Sequence, residues 1–494
     1  MKNVSKILCL LMALSMLLVC FAACNNDKKN PDDTSEETTA PEEDTVDTDS
    51  ALYRSELEVR DFKKEDKQEF TIWYSTKSAW SPYPLYVDGE LGNSGDIIYS
   101  AGYKRNDELE TLVNISMNFI RSDSGQTEDA AILRNLAISG DIQNIDMVMS
   151  GDVVPVTMAM EGFFLDLNQT AYVKPLADYY EAQVNEQLEI YGKQYFASGF
   201  YSVMNTAAID VTWVNADIVE DSTGLVMTDL YDLALNKKWT INKLLEIGSH
   251  YATPDANTGD YLTDKYGFIL SRNYCQNIYF DLGGTVVEYD DANEKYAVTV
   301  RDATNIDLLT WTQTNITKNT NVSLVKNDDH YKAFFAEAAP FLCCTFMGIW
   351  QFLDSDMAWG TLPAPLMNEG DDYIAYSDRW NLNFAGIPAK NSNPDAAAYL
   401  YELFMCLSYD HVYPAYYESC FGLRYQPDEV GSQIFDIVAH SRKLDLANMF
   451  NLYTTQLNSM IISANNGVSS TTRSINSEVK NALNTLLNTF ESMS

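Results

Sequence analysis

The sequence contains few basic residues and few cysteines. It has 33 Lys and Arg against 70 Asp and Glu, and its formal net charge is −37. Because such a surface repels phosphate groups, we exclude nucleic acid as a partner. Eight cysteines in 494 residues, with no C-x-x-C pair, exclude a secreted disulfide scaffold. We expect the cysteines beyond residue 24 to be mostly buried small hydrophobic residues; they are Cys275, Cys343, Cys344, Cys406 and Cys420.

Catalytic motifs are also missing from the sequence. The chain has no H-E-x-x-H, no G-x-S-x-G and no Gly-rich phosphate loop, and its four His lack the spacing of metal ligands. The acidic segment Asp255–Asp264 fails the EF-hand spacing and predicts a solvated loop. Cys343-Cys344 has no nearby His, which favours a buried strand over a metal site. We therefore expect a protein without enzymatic activity or cofactor. A glycoside hydrolase stays open as an alternative, because so many carboxylates allow chance acid pairs.

One long hydrophobic run stands at the N-terminus. Ile7–Phe21 follows a charged start and precedes Ala22-Ala23, which predicts a secretory signal too short for a comfortable membrane span. Phe21-Ala22-Ala23-Cys24 resembles the bacterial lipobox, with Phe at the position of the usual Leu. This resemblance implies cleavage before Cys24 and a diacylglycerol anchor on its sulfur, which suffices for stable membrane residence. The alternative is an ordinary cut near Ala23 that leaves an unanchored protein.

The segment after Cys24 is rich in Asp, Glu, Thr, Ser and Pro as far as about Asp66. It carries too little apolar surface to offset the entropy lost on ordering, which predicts a disordered acidic tether. Such a tether would hold a folded part away from the membrane through a cell wall. We therefore expect residues 1–23 to be a lipoprotein signal peptide and residues 24–66 to be the lipidated Cys and its tether. The expected location is the outer face of the cell membrane of a Gram-positive bacterium.

Strand and helix patterns alternate beyond the tether. Glu69–Tyr74 and Asp146–Met149 predict strands, and helical patterns stand between and after them. This alternation is typical of an α/β sheet with parallel strands. Further along, Val203–Val214 predicts a strand interrupted at Met204-Asn205, and Leu342–Gly348 predicts a strand just before Trp350. Thr240 is a predicted helix N-cap. The last predicted helix has one apolar face, formed by Val479, Leu483, Leu486, Leu487 and Phe490.

Several short segments, each weak alone, stand in one order over residues 68–450. They are Gly140-Asp141, Asp146-Met147-Val148-Met149, Glu161-Gly162-Phe163-Phe164-Leu165-Asp166-Leu167, Trp213-Val214-Asn215-Ala216-Asp217, Trp239-Thr240-Ile241, Asp264-Lys265-Tyr266-Gly267-Phe268 and Gly360-Thr361-Leu362-Pro363-Ala364-Pro365. Together they resemble the family 1 extracellular solute-binding lipoproteins of bacterial ABC importers, the class that includes maltose-binding protein.

The resemblance implies a two-lobed, periplasmic-binding-protein-like (type II) α/β fold whose lobes close on a ligand by hinge bending. Lobe one would comprise residues 67–203 and 374–410, and lobe two residues 204–373 and 411–494. The crossings would lie near Phe200–Asn205 and Leu362–Tyr373. The implied function is capture of a mono- or oligosaccharide by a monomer, which delivers it to the transmembrane subunits of an ABC permease. A surface glycan-binding adhesin without transport stays open, because a sequence cannot show a permease partner.

Four tryptophans are candidates for contact with a sugar, whose apolar C–H faces lie on flat aromatic rings. Trp73 and Trp80 flank the end of the first predicted strand, where ligands bind in such sheets. Trp350 resembles the family's cleft tryptophan after a strand, and Trp380 follows the second crossing. The alternative for each is a position in the hydrophobic core.

Polar residues complete the predicted ligand-binding set. Ser150 and Asp152 lie between a predicted strand and a predicted helix, where backbone N–H groups donate to ligand oxygens. Helix capping is the alternative role for both. Asp378 and Arg379 would grip hydroxyls through charge-assisted hydrogen bonds, with a surface ion pair as the alternative. Asn205 belongs to the set as a residue of the predicted first crossing.

Overall fold

Two β-sheets organise the part of the chain that the structure describes. This computed structural model describes residues 57, 67–76, 87–89, 96–151, 153–290, 292–326, 329–352, 355–377, 379–417, 429–463 and 465–493. In chain order the strands are β1 (Glu69–Ser75), β2 (Ser116–Ser122), β3 (Met147–Gly151), β4 (Asp210–Asn215), β5 (Phe268–Ser271), β6 (Val287–Asp290), β7 (Lys295–Val298), β8 (Val322–Val325), β9 (Phe341–Thr345), β10 (Trp359–Pro363), β11 (Ala375–Tyr376), β12 (Asn383–Gly386) and β13 (Arg442–Lys443).

Helices connect and cover these strands. They are α1 (Ile97–Val113), α2 (Gln126–Ser139), α3 (Val153–Met160), α4 (Ala182–Glu186), α5 (Val203–Ala207), α6 (Ala216–Thr223), α7 (Met227–Leu235), α8 (Ile241–Ser249), α9 (Asn277–Asp281), α10 (Ala303–Thr312), α11 (Asp329–Phe335), α12 (Ile349–Phe352), α13 (Pro394–Tyr417), α14 (Glu429–His440), α15 (Leu446–Met449), α16 (Gln456–Ile462) and α17 (Val468–Ser492). Short 3₁₀ turns include Phe346–Gly348 and Arg379–Asn381. Within the described ranges, none of the helices has both the length and the apolar character that crossing a bilayer requires.

The first sheet has the strand order β12-β3-β1-β2 among the described residues. Its β1 runs parallel to β2 and β3, while β12 runs antiparallel to β3. Both faces are covered, because Phe70 and Ile72 of β1 pack in one core cluster with Phe404 of α13, whereas Trp73 belongs to another with Leu133 of α2. Burial of both faces is the usual state of a parallel sheet flanked by helices, as the alternating pattern predicted.

The second sheet has the order β10-β4-β9-β5-β8 in the part of the chain that is described. Strand β5 is parallel to β8 and β9, and β4 is antiparallel to β9 and β10. Cys343 and Cys344 of β9 fall in different hydrophobic clusters, because neighbouring residues of a strand point to opposite faces. The two cysteines therefore fill the core on either side of β9, which confirms the buried strand predicted for them.

Helix α8 shows how the local sequence sets an element against the second sheet. Thr240 is its N-cap, and the Thr240 hydroxyl accepts from the Lys243 N–H at 3.1 Å, as predicted. At the other end, Gly248 lies against Gly267, the residue that precedes β5. A Cβ on Gly248 would stand 2.4 Å from the Gly267 carbonyl oxygen. The glycine pair thus allows helix and strand backbones to approach each other directly.

The C-terminal segment is part of the folded structure. Asp445 accepts from the Val286 N–H at 2.7 Å, just before hairpin β6–β7, and from the Asn448 N–H at 3.1 Å in the first turn of α15. Burial raises the pKa of Asp445, although these backbone hydrogen bonds lower it in part. In α17 the predicted apolar face is confirmed, since its residues Val479, Leu483, Leu486 and Phe490 are buried.

Two predicted strands are partly wrong. The residues Val203–Ala207 form α5, and β4 begins only at Asp210. Helical backbone places the carbonyls of Asn205 and Thr206 within 2.6 and 3.2 Å of the Arg442 guanidinium, a long-range interaction invisible in the local pattern. The strand predicted over Leu342–Gly348 ends at Thr345 and is followed by a 3₁₀ turn and α12. Short apolar runs do not distinguish strand from buried helix.

The cysteines outside the N-terminal region behave as small core residues. Cys275, Cys343, Cys344 and Cys406 are buried. Burial raises the pKa of Cys275 to about 12, so this thiol stays protonated at neutral pH. These findings confirm the role predicted for four of the five cysteines, and Cys420 lies outside the described residues.

Candidate functional site

The carboxyl-terminal edges of the two sheets carry the candidate site. In the first sheet, Asn383 at the start of β12 pairs with Gly151 at the end of β3, and Trp380 lies on the 3₁₀ turn just before β12. In the second sheet, Asn273 and Tyr274 follow directly after the end of β5. Ligands of α/β sheets bind outside the carboxyl ends of the strands. Both edges therefore place side chains where a ligand site is expected.

One cavity of about 390 Å³, called here the ligand cavity, joins these two edges. This volume lies in the range of small-molecule sites. Its third wall comes from the segment 448–458, which includes part of α15 and α16. The residues that line it are Asn273, Tyr274, Gln276, Arg379, Trp380, Asn448, Asn451, Tyr453, Thr454, Thr455 and Asn458.

The lining of the ligand cavity is rich in neutral hydrogen-bonding groups, and Arg379 is the one charged side chain among its described residues. Amide and hydroxyl side chains dominate it, and no Asp or Glu occurs among its described lining residues. That composition contrasts with the formal charge of −37 for the whole chain. Amides and hydroxyls both donate and accept, so they match ligand hydroxyls without imposing a charge. The cavity is therefore suited to a neutral polyhydroxylated molecule.

Trp380 and Arg379 give the cavity its aromatic and its cationic component. The Trp380 side chain is 37% exposed, whereas Arg379 is 8% exposed. The Arg379 guanidinium carbon lies 4.7 Å from the centroid of the Trp380 ring. A cation at this distance is attracted to the ring and restrains its orientation. Among the predicted site residues whose side chains are described, Arg379 and Trp380 are the two that line the cavity.

The opposite wall is held in place by Asn458. Its amide oxygen accepts from the Cys275 thiol at 3.1 Å and from the Gln276 N–H at 3.1 Å, and its amide nitrogen donates to the Arg272 carbonyl at 3.1 Å. These bonds tie α16 to the residues after β5. Asn448 differs, because its buried amide oxygen has no hydrogen-bond partner among the described residues. A buried acceptor of this kind costs free energy until a donor satisfies it.

Trp73 and Ser150 lie in the interior of the first sheet. Trp73 is 1% exposed and stands in register with Ile120 and Val148 of the neighbouring strands. Its ring packs in the hydrophobic core, which was the alternative to ligand contact, and offers no face to a ligand. Ser150 is also 1% exposed, on β3 opposite Phe384 of β12. We therefore set both residues aside as direct ligand contacts.

Asn205 joins distant parts of the backbone. It is fully buried, its amide nitrogen donates to the Asn383 carbonyl at 2.8 Å, and its amide oxygen accepts from the Asn383 N–H at 2.8 Å. The same nitrogen lies 2.8 Å from the Ser198 hydroxyl. Both ends of the amide are thus occupied within the protein. The structure gives Asn205 a joining role between α5 and β12 instead of a place in the ligand cavity.

A buried ion pair lies beside Asn205. One Arg442 nitrogen is 2.6 Å from the Glu181 carboxylate, and both side chains are 5% exposed. The other Arg442 terminal nitrogen donates to the carbonyls of Asn205 and Thr206, while Ser198 donates to Glu181. We call Glu181, Ser198, Asn205, Thr206 and Arg442 the crossing cluster. It fixes β13 to the segment that carries the chain from the first sheet into the second.

Several residues of the predicted ligand-binding and lipidation sites lie outside the part of the chain that the structure describes. Trp80, Asp152 and Asp378 are not among the described residues, nor is Cys24 with the predicted tether. The backbone of Trp350 lies in α12, but its side chain is outside the described part of the chain. Gly348, two residues before Trp350, faces Tyr331, whose hydroxyl would stand 2.3 Å from a Cβ added there.

The sequence pattern gave no sign of the wall formed by residues 448–458. The spacing of Asn448, Asn451 and Asn458 follows no ligand-binding motif, and long-range packing brings this segment to β5. One signal was present in the composition, because this stretch has several Asn and Thr and no charged residue. In an acidic chain, an uncharged polar stretch marks a region worth testing for neutral ligands.

Metal binding has no support in the described residues. No group of three or more His, Cys, Asp or Glu among them is arranged to hold an ion. In the mostly exposed loop Asp255–Asp264, the buried Asp264 accepts from the Thr258 and Gly259 N–H groups at 2.8 and 2.6 Å. Burial alone would raise the pKa of Asp264, but these hydrogen bonds lower it below its ordinary value. Asp264 thus closes a solvated loop.

Comparison with solved structures identifies the fold. The chain is similar to a cyclo/maltodextrin-binding protein complexed with maltotetraose, at a TM-score of 0.55 and 12% identity over 87% of this chain and 100% of that one. It is also similar to the sugar-binding protein MalE from Xanthomonas citri, at a TM-score of 0.57 and 13% identity over 86% and 100%. A third similar structure is UgpB from Mycobacterium tuberculosis in complex with glycerophosphocholine, at 0.54 and 13% over 85% and 99%.

These likenesses confirm the two-lobed periplasmic-binding-protein-like α/β fold implied by the sequence. At such identities they establish the fold alone. No protein-family model and no curated protein matches the sequence. The ligand must therefore be argued from the cavity itself.

Proposed function

We propose that this protein is the substrate-capturing component of an ABC importer and that it binds a neutral mono- or oligosaccharide in the ligand cavity. One observation carries the proposal. The cavity joins the carboxyl edges of both sheets, and its described lining is made of amides, hydroxyls, Arg379 and the half-exposed Trp380. Sugar rings combine apolar faces with peripheral hydroxyls, and this lining offers a partner for each.

The structural neighbours support a saccharide ligand but do not determine the ligand of this protein. Two of them were solved as a maltodextrin-binding protein with maltotetraose and as a sugar-binding protein, while the third holds glycerophosphocholine. The same fold therefore serves more than one ligand chemistry. Arg379 is 8% exposed and lies against the Trp380 ring, so the amides, hydroxyls and aromatic ring that dominate the lining favour the sugar over the phosphodiester.

The lobe boundaries follow from the same proposal. The strands of the first sheet lie within residues 67–203 and 374–410, and those of the second lie within residues 204–373. We propose that these ranges, with residues 411–494 added to the second, move as two bodies. Cys24 would anchor the monomer to the outer face of the membrane, where an ABC permease receives the ligand.

Calorimetric titration of the purified protein against a ligand panel tests the proposal. The panel contains maltotetraose, other neutral oligosaccharides, their component monosaccharides and glycerophosphocholine. We expect saturable binding of a neutral saccharide with a Kd of about 1 μM, which corresponds to about −8 kcal/mol. No saturable binding of any saccharide in the panel, or hydrolysis of a glycoside by the purified protein, would overturn the carbohydrate-capture function.

A further inference from the structure

A second cavity lies between the turn at residues 186–192, the hairpin β6–β7 and the segment 443–446. Its volume is about 550 Å³, and it shares no lining residue with the ligand cavity. Carbohydrate capture, as proposed above, makes no use of it. Its lining combines three tyrosines with three glutamates: Tyr191, Tyr289, Tyr296, Glu186, Glu189 and Glu288. We call the three tyrosines the tyrosine cage.

The tyrosine rings stand at steep angles to one another. The ring centroids of Tyr289 and Tyr296 are 5.0 Å apart with an interplanar angle of 64°, and those of Tyr191 and Tyr296 are 6.1 Å apart at 67°. Tyr191 is 48% exposed and Tyr289 is 46% exposed. Large aromatic side chains with this much exposure present ring surface to an incoming group. These two rings and the partly buried Tyr296 ring, which contacts both, line the cavity at different angles.

Backbone contacts position two rings of the tyrosine cage. Tyr191 has a φ of 54° and Gly192 a φ of 74°, in a turn closed by reciprocal hydrogen bonds between Ile190 and Lys193 of 3.0 and 3.1 Å. A left-handed φ is unfavourable for tyrosine, so the turn rather than local preference places this ring. Across the cavity, the Tyr296 hydroxyl donates to the Glu189 carbonyl at 3.1 Å.

The charges around the cage are predominantly negative. Three glutamates line the cavity, and Lys443 is the basic residue among its described lining. The Glu189 carboxylate accepts from the neutral Asn168 amide at 3.0 Å, which leaves its charge uncancelled. Burial, then the neighbouring Tyr289 and Tyr191, raises the pKa of Tyr296 to about 12, so this ring stays neutral at physiological pH.

We propose that this second cavity is a binding site for an alkylammonium group, such as the trimethylammonium head of choline. The negative faces of aromatic rings attract a cation, and a quaternary ammonium loses little hydration when it leaves water. Nearby carboxylates add attraction that a neutral group of the same shape would not feel. Ring faces and negative charge together select a bulky cation over a sugar or an anion.

Titration with choline chloride tests this site in the intact protein, against 3,3-dimethylbutan-1-ol as an uncharged isostere. We expect saturable choline binding and at least tenfold weaker binding of the alcohol. Tyr289→Ala should weaken choline binding about fivefold or more, whereas Tyr289→Phe should retain it because the ring remains. Glu288→Gln should weaken it about twofold to fivefold through the lost charge.

Three control variants separate the cage from other effects. Tyr103→Ala removes a tyrosine that is 50% exposed on α1, and Glu220→Gln removes an exposed charge on α6. Both should bind choline as the unaltered protein does. Trp380→Ala alters the ligand cavity and should leave choline binding unchanged, so failure of the carbohydrate proposal and failure of this one are distinguishable.

The results of these titrations test the proposal, and a vesicle experiment distinguishes two sources of the alkylammonium group. Equal affinity for choline and the alcohol, no saturable choline binding, or unchanged affinity in Tyr289→Ala would each overturn it. Cosedimentation with phosphatidylcholine vesicles that is lost in Tyr289→Ala would identify a lipid headgroup as the source. Choline binding without cosedimentation would identify a soluble alkylammonium ligand.

Discussion

Trp73 lies in a strand of the first sheet and Trp380 just before another, yet Trp380 is 37% exposed and Trp73 is 1% exposed. The difference comes from position. Trp73 lies within β1, where neighbouring strands and helices cover both faces, while Trp380 lies on a turn at the sheet's carboxyl edge. Because ligands bind at that edge, we choose Trp380 as the stacking residue to test, while Trp350 stays a prediction.

Trp380→Ala should lower the affinity for the captured saccharide about tenfold or more. Loss of the aromatic face removes about 0.5–1.5 kcal/mol, and lost burial of ligand adds about 1–2 kcal/mol. Calorimetric titration measures the affinity, and thermal melting of the same sample measures stability. Trp311→Ala, which removes a half-buried tryptophan outside the ligand cavity, should leave the affinity unchanged. Full affinity in a well-folded Trp380→Ala protein would remove Trp380 from the site.

Glu402 makes stability depend on pH. It is fully buried in α13 and accepts from the Tyr179 and Tyr180 hydroxyls at 2.6 and 2.5 Å. Burial raises the pKa of Glu402 from 4.5 to about 7, although these hydrogen bonds lower it in part. Between these values the folded state keeps a proton that the unfolded chain releases. Stability should therefore fall by roughly 3 kcal/mol from this group as pH rises through that window.

Denaturant unfolding of the Glu402→Gln variant at pH 4.5 and 7.5 checks this. Glutamine keeps an acceptor for one tyrosine and donates to the other, but it does not titrate. The variant should lose the part of the pH dependence that Glu402 contributes. Its free energy of unfolding at pH 7.5 should therefore exceed that of the unaltered protein. Glu220→Gln, an exposed substitution with the same change of charge, serves as control. An identical pH dependence in Glu402→Gln and the unaltered protein would contradict this interpretation.

The aromatic and polar residue types predicted from the sequence do line the ligand cavity, but most of the predicted residues whose side chains are described do not. Trp73, Ser150 and Asn205 fit the expected chemistry and are buried, whereas Arg379 and Trp380 line the cavity. Burial depends on which helices cover a strand. No local pattern around a single tryptophan contains that information.

At the scale of elements, the crossing cluster determines how the chain passes between the sheets. Arg442→Met should destabilise the fold by about 3–5 kcal/mol, because the Glu181 carboxylate would remain buried without its partner. The double variant Glu181→Gln with Arg442→Met should recover part of that loss. Chemical denaturation of the unaltered protein, both single variants and the double variant gives the coupling free energy.

The exposed pair Arg134–Glu161 supplies a matched control. Its nitrogen–oxygen distance is also 2.6 Å, but its side chains are 42% and 41% exposed. Arg134→Met should cost at most about 1 kcal/mol, since water screens the pair. If Arg134→Met and Arg442→Met lower the free energy of unfolding equally, burial does not determine how much the Arg442–Glu181 pair stabilises the fold.

Elements with strong local signals were predicted well. Thr240 at the start of α8 and the apolar stripe of α17 are confirmed, because capping and periodicity act within a few residues. The helix α5 was missed, since its carbonyls are fixed by Arg442, far away in sequence. Elements determined by long-range contacts escape a local pattern.

At the scale of the whole molecule, the ordered family-like segments predicted the α/β fold, which the structural neighbours confirm. The segments did not predict that residues 448–458 complete the ligand cavity. This wall is formed by packing of the C-terminal helices, outside the segments that carry the resemblance.

The lipid anchor is a separate property of the whole molecule. Cys24→Ser removes the sulfur that would carry diacylglycerol, so the protein should leave the membrane fraction and appear in the medium. Immunoblotting of both fractions from cells that express each form measures the distribution. Equal membrane retention of the Cys24→Ser form would rule out lipid anchoring through this residue.

Ligand-driven closure is the most direct test of capture between the two sheets. A ligand closes the protein only if it binds the closed arrangement more tightly than the open one. Small-angle X-ray scattering of the purified protein, with and without the saturating saccharide found by calorimetry, measures this. We predict a smaller radius of gyration with ligand than without it, and, at a saccharide concentration close to the Kd of the unaltered protein, a smaller decrease in Trp380→Ala. Tight binding with no change in radius would contradict capture by closure.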